Sequence, residues 1–181
     1  IVFERMKMID EALASARTGE KLSPSDPSVV EQLCGLELET GNSTAACKCY
    51  ERLGSIHPLD GLSSTYYGIA LYRSGKEDES IAVLEKAVNS TPAIPLAINA
   101  LGVVYYNKKR FKDAAAAFKS AVEAAPDTFE FRYNLALTHL AHGNKTGASS
   151  QYNILKAGNP ALATRLFGIL YGDKIVVVPK N

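Results

Sequence analysis

The chain has 181 residues and a mass of 19.5 kDa, enough for one domain or a short repeat array with a real core and too little for two fused enzymes. Hydrophobic residues make up 46% and charged residues 22%, with 20 basic against 19 acidic side chains and a net charge of +1. This balance argues against a disordered chain and against charge-driven binding to nucleic acid or an anionic membrane, and Gly, Asn or charged residues interrupt every apolar run well short of the ~18 residues of a membrane span.

The punctuation of the chain repeats. Pro24, Pro58, Pro92, Pro126 and Pro160 stand 34 residues apart, and Gly41, Gly75 and Gly143 keep the same interval with Lys109 in the missing place. Small residues form two more columns, Cys34, Gly68, Gly102, Ala136 and Ala12, Ala46, Ser80, Ala114, Ala148. Large apolar residues form another, Tyr50, Leu84, Phe118, Tyr152. A fixed period of this length marks a stacked supersecondary unit. The columns define two closely packed helices, small residue facing small residue, with a glycine turn ending the first and the phased proline ending the second.

In chain order, Val2, Met6, Ile9, Leu13 and Ala16 recur at helical spacing and stop at Gly19, so residues 1–26 are predicted to hold the second helix of a truncated earlier unit and a linker. The chain opens at Ile1 with no basic-then-apolar leader, which is read as loss of a segment upstream and leaves the localisation open. Four complete units follow over residues 27–60, 61–94, 95–128 and 129–162. Their starts are Asp26 with Pro27, Asp60 before Gly61, Pro95, and Asp127, residue types that suit a cap or a first helical position. Asn159 and Pro160 open a capping helix over residues 160–172 with Leu162, Leu166, Ile169 and Leu170 on one side. Residues 173–181 carry a β-branched run, Ile175 to Val178, and are predicted to be extended and either docked or paired with the tail of another molecule, which offers a route to self-association.

These columns resemble the tetratricopeptide repeat family. The third unit reads Leu101-Gly102, Tyr105, Ala114, Phe118, Ala121, Pro126, and the second Tyr67-Gly68, Leu71, Gly75, Leu84, Ala87, Pro92. The first gives Leu33-Cys34, Gly41, Ala46, Tyr50, Pro58 and the fourth Leu135-Ala136, Gly143, Ala148, Tyr152, Pro160, so the resemblance covers residues 27–162. The family's early Trp is replaced by Val30, Ser64, Ile98 and Arg132. The resemblance implies an all-α, right-handed superhelical solenoid of stacked antiparallel helix pairs, about ten helices in all with the flanks.

Signals for chemistry are sparse. His139 and His142 form an H-x-x-H on a helix with no third ligand at a suitable spacing, and His57 stands alone before Pro58. Phosphate loop, nucleophile elbow and Cys-x-x-Cys are all missing, so no enzymatic activity, catalytic residue, metal or cofactor is expected. Cys34, Cys47 and Cys49 are too few and too clustered for a disulfide framework. Small buried thiols are the expectation, with a Cys34 to Cys47 bridge as the alternative in an oxidising compartment. Asn42, Asn89 and Asn144 begin N-x-Ser/Thr tripeptides, which turn and cap chemistry explains, with Ser43, Thr44 or Thr146 as caps.

The resemblance implies that the first helix of each pair lines a concave groove for a peptide or helix of a partner protein, through the fifth, ninth and twelfth positions of each unit. Carried over, these are Glu31, Gly35 and Leu38; Thr65, Ile69 and Tyr72; Asn99, Val103 and Tyr106; Tyr133, Leu137 and Leu140. The peptide-binding set drawn from them is Thr65, Ile69, Tyr72, Asn99, Val103, Tyr106, Tyr133 and Leu137, joined by Arg73 as a bias towards acidic segments. The carboxylate clamp of the family's chaperone-binding members is not matched, since Glu31 and Gly35, or Thr65 and Ile69, then Ala100 and Glu130, stand in its places. No heat-shock chaperone partner is therefore expected. The function expected is protein-protein interaction through the groove; the alternative is a scaffold that packs or self-associates through its ends, with the groove filled.

Overall fold

A proline or an aspartate that fixes a helix start leaves a local signature, and the computed structural model, which describes residues 2–171, carries it. Asp26 Oδ1 accepts from the Ser28 amide at 2.9 Å with Pro27 in the first turn, and Asp60 Oδ1 accepts from the Ser63 amide at 2.7 Å. Among the described residues there are ten helices and no strand. They are α1 (Val2–Leu22), α2 (Pro27–Glu39), α3 (Ser43–Ile56), α4 (Gly61–Arg73), α5 (Glu77–Val88), α6 (Pro95–Asn107), α7 (Phe111–Ala124), α8 (Phe129–Ala141), α9 (Lys145–Gly158) and α10 (Pro160–Tyr171). The tail expected to be extended, residues 173–181, lies outside the described residues.

Three boundaries differ from expectation. α1 runs past Gly19 to Leu22, because one glycine costs a helix only about 1 kcal/mol and Gly19 keeps its carbonyl bonded to the Ser23 amide at 2.8 Å. α8 starts at Phe129 with Thr128 rather than Asp127 at the cap. Ahead of α9, Asn144 is itself the cap and accepts from the Gly147 amide at 2.9 Å, leaving Thr146 out of that role.

The chain divides into two compact units, Ile1–Ala100 and Leu101–Asn181, the boundary falling within α6. In the first unit α1 packs on α2 through Leu13, Ala16 and Leu33. α2, α3 and α4 then enclose a core that includes Val30, Leu38, Ala46, Tyr50 and Leu71. The small column faces the large column as well as the second small one. A methyl group on Gly68 would stand 2.6 Å from Leu84 Cγ, while Ser80 Oγ uses the same gap to donate to the Gly68 carbonyl at 2.7 Å. In the second unit a methyl group on Gly102 would stand 2.8 Å from Phe118 Cε1. There α8, α9 and α10 close over Ala136, Leu155, Leu162, Ala163 and Leu166.

Cys34 is bonded to Cys49, and Cys47 is the free, buried thiol. The expectation of three small buried thiols, and the alternative bridge to Cys47, are both corrected by this. Residues two apart on a helix face different ways. Cys49 is turned towards α2, with Cα atoms 5.2 Å apart across the bridge, whereas Cys47 Sγ lies 3.5 Å from Ser74 Oγ at the end of α4.

The glycine turns are helix C-caps of the six-to-one type. Gly41, Gly75 and Gly143 have φ of 84°, 80° and 80°, and Lys109 takes the same place with φ 59°. In each turn the amide of this residue donates three residues back and the next amide donates five residues back, as Lys109 to Tyr106 and Arg110 to Tyr105, both at 2.9 Å.

Candidate functional site

An antiparallel helix pair that buries its second helix against the next pair leaves one face of its first helix to solvent, and hollows form there where side chains are short. In the first unit α2 and α4, with Leu96 of α6, line an open groove of about 490 Å³. Its walls are Leu36, Leu38, Ile69, Tyr66 and Leu96, with Gly35 between them and Gln32, Glu39 and Arg73 at the rim. In the second unit Val103, Tyr106, Asn134 and Leu137 surround a smaller apolar hollow of about 150 Å³ over Phe118.

The ninth position of the repeat lines a hollow in both units, as Gly35 and Ile69 in the first and Val103 and Leu137 in the second. Tyr106 and Arg73 also line these hollows. The fifth position does not. Thr65 is completely buried and its hydroxyl donates to the Gly61 carbonyl at 2.7 Å, so it presents nothing to a ligand. Glu31 hydrogen-bonds Ser63, on a separate hollow near Pro58. Asn99 is half-buried and lies outside the groove lining. Tyr133 is covered by Arg165, whose guanidinium carbon lies 5.2 Å from the ring centre. Tyr72 is half-buried and also outside the lining, and burial, followed by Glu77, raises its hydroxyl above the usual range.

The sixth position lines the hollows instead, through Gln32, Tyr66 and Asn134. These were within reach of sequence reasoning as polar residues one place along a solvent-facing helix. Beside the groove lies a more polar hollow of about 700 Å³ that also includes Arg73. There the buried Glu37 carboxylate accepts from Arg17 Nη2 at 2.8 Å and from Asn42 Nδ2 at 3.0 Å, and Lys48 faces the same space.

His139 is half-buried in the second unit; burial, and then His142, hold its imidazole below the usual range. Its Nδ1 is 3.4 Å from Asn144 Nδ2, and the His142 ring packs 6.3 Å from Phe111. Among the described residues no three His, Cys, Asp or Glu side chains come together in a metal-binding group, and no helix is long and apolar enough to cross a membrane.

The architecture is that of paired-helix repeat proteins, and comparison with known proteins names the class. Residues 99–168 match the family model of the tetratricopeptide repeat. The chain is similar to a thermophilic tetratricopeptide repeat protein of Thermus thermophilus at 25% identity and a TM-score of 0.73, covering 93% of each chain. It also shares its fold with YrrB, a tetratricopeptide repeat protein with an unusual peptide-binding site, at 17% identity and a TM-score of 0.71, covering 91% of this chain and 86% of that one. The mouse Superkiller complex protein 3 is 28% identical over 112 residues, which is 61% of this chain and 7% of the length of that relative. The described residues form a helical repeat array with the fold of tetratricopeptide repeat proteins, and the stretch that matches the family model belongs to a family whose members are generally non-enzymatic interaction modules.

Proposed function

We propose that this chain is a non-enzymatic interaction module that holds a segment of a partner protein in the groove of its first helices. The observation that carries the reading is the ninth column: in each unit the same position of the repeat lines an apolar hollow that stays open to solvent, where a scaffold filled by its own side chains would be closed. Apolar walls with a few polar rim groups suit a peptide whose side chains supply affinity and whose main chain meets amides such as Gln32. The mouse relative bears the name of a complex component, and a subunit role is the same reading stated more broadly.

A second reading draws on α10, where Phe167 is 41% and Ile169 56% exposed. It makes the chain a scaffold that packs through its end.

A phage-displayed library of random 12-residue peptides, panned on the full chain, separates the two. Each enriched peptide is expected to bind at least about tenfold more weakly to Ile69→Lys or to Val103→Lys, according to which hollow it occupies, with each variant checked for native circular dichroism. Peptides that bind both variants as they bind the parent overturn the groove reading. Concentration-dependent association in light scattering that Phe167→Ser with Ile169→Ser abolishes, with no groove-dependent peptide, favours the end-packing reading.

A further inference from the structure

The two hollows are built from the same columns of the repeat, yet one measures about 490 Å³ and the other about 150 Å³. The columns differ most at the ninth position, where Gly35 stands in register with Ile69, Val103 and Leu137. Packing does not require a glycine there. A methyl group on Gly35 would meet nothing within 4 Å, whereas one on Gly68 or Gly102 would collide with Leu84 or Phe118. Nor does the backbone require it, because Gly35 lies within α2 and, unlike Gly41, has no positive φ. A glycine inside a helix is a cost to stability, and here the missing side chain opens a notch walled by Leu36, Leu38, Ile69 and Leu96.

The charges around the notch have a direction. Arg73 is exposed at its rim, with Nη1 donating to the Leu38 carbonyl at 3.4 Å, and it also borders the polar hollow faced by Lys48. Arg17 on that hollow is already held by Glu37, and Glu39 at the rim is itself engaged. Arg73 and Lys48 place two positive charges on this polar hollow, where they would meet an incoming carboxylate.

We infer that the Gly35 notch is the specificity pocket of the groove, and that it takes one bulky apolar side chain, Leu, Met or Phe, of a partner segment whose neighbouring acidic residue pairs with Arg73. The inference rests on the groove reading above and adds the chemistry of the occupant. Gly35→Leu places a side chain of the size found at Leu137 into the notch from a helix with room for it. Folding is therefore preserved while the pocket is filled.

The test pans the same 12-residue library on the full chain and on Gly35→Leu in parallel, then measures fluorescence anisotropy with the peptides enriched on the parent. These are expected to share one Leu, Met or Phe with an Asp or Glu close by. Binding should weaken about tenfold or more in Gly35→Leu, and comparably in Arg73→Glu, with Arg73→Lys restoring most of the second loss. Replacing the apolar residue of the peptide by Ala should weaken binding to the parent but not to Gly35→Leu. Peptides that depend on Ile69 yet bind Gly35→Leu and Arg73→Glu unchanged overturn this inference and leave the groove reading standing. If no enriched peptide depends on Ile69, this inference falls, and if none depends on Val103 either, the groove reading falls with it. A dimer in light scattering that Gly35→Leu dissociates puts a second copy of this chain in the notch and overturns the peptide.

Discussion

The glycine column offers a test of the repeat as a physical object, because three of its turns end in glycine and one in lysine. Lys109 has φ 59° while Gly41, Gly75 and Gly143 have φ of 80° to 84°. All four turns make the same pair of capping bonds, so replacing Lys109 by glycine removes no hydrogen bond. The left-handed region costs a residue with a Cβ roughly 1–2 kcal/mol, and glycine gives back about 0.5–1 kcal/mol of that through its greater freedom when unfolded. Lys109 is exposed, so its side chain adds little to the folded state. Lys109→Gly should therefore stabilise by about 0.5–1 kcal/mol, a rise of roughly 1–4 °C in Tm for a chain of this size. The reciprocal Gly143→Lys should destabilise by a similar amount. Both are read by thermal melts followed by circular dichroism and by urea midpoints. A Lys109→Gly variant that melts at or below the parent, or a Gly143→Lys variant that melts with it, refutes the assignment of strain to this turn.

Gly102→Leu should cost at least about 1–3 kcal/mol, because its side chain must displace the buried Phe118 ring, and Ala114→Leu, at a residue with no exposed surface, should behave alike in urea titrations. Reducing the Cys34–Cys49 bridge, which spans 15 residues of sequence, should cost about 3 kcal/mol; melts with and without dithiothreitol, compared with Cys49→Ser, measure it. Asp60→Ala removes a cap and should cost about 1 kcal/mol at neutral pH. The Ser63 amide holds the Asp60 carboxyl below its ordinary 3.8, so this stabilisation is present above that pH and is lost as pH falls through the folded value. The gap in urea midpoint between the parent and Asp60→Ala should therefore close in acid.

The parts of the fold that were legible in the sequence are those where one residue type is needed for a backbone reason. Glycine at a left-handed turn and proline just past a helix end carry their geometry in their covalent structure, and their 34-residue spacing exposes the repeat before any helix is assigned. Even Lys109 is visible, as the gap in a glycine column. Side-chain direction is another matter. Neighbouring residues on a helix differ by about 100° in direction, so a one-place error in register exchanges groove for core. That separates the fifth position, where Thr65 is sealed inside, from the sixth, where Tyr66 and Gln32 reach the groove. The same rotation decides between Cys47 and Cys49 as the partner of Cys34, and spacing along the chain does not contain it.

Gly35 was legible as a groove position but not as a notch, because a hollow depends on what neighbouring side chains leave unfilled. The columns of this one chain divide accordingly. Where helices meet, the residues hold their size: Gly68, Gly102 and Ala136 stay small, and Leu84, Phe118 and Tyr152 stay large. Close packing penalises a misplaced methylene in either direction, so these positions have little latitude. On the groove face the residues range freely, from Gly35 to Ile69, Val103 and Leu137 at the ninth position and from Gln32 to Tyr66 and Asn134 at the sixth. Glu39 and Arg73, one repeat apart, even reverse charge. A stacked array repeats its scaffold and so presents every bound segment with the same backbone; only departures on the open face can tell one segment from another. The largest departure in volume is Gly35 and the sharpest in charge is Arg73, and both stand on the same groove.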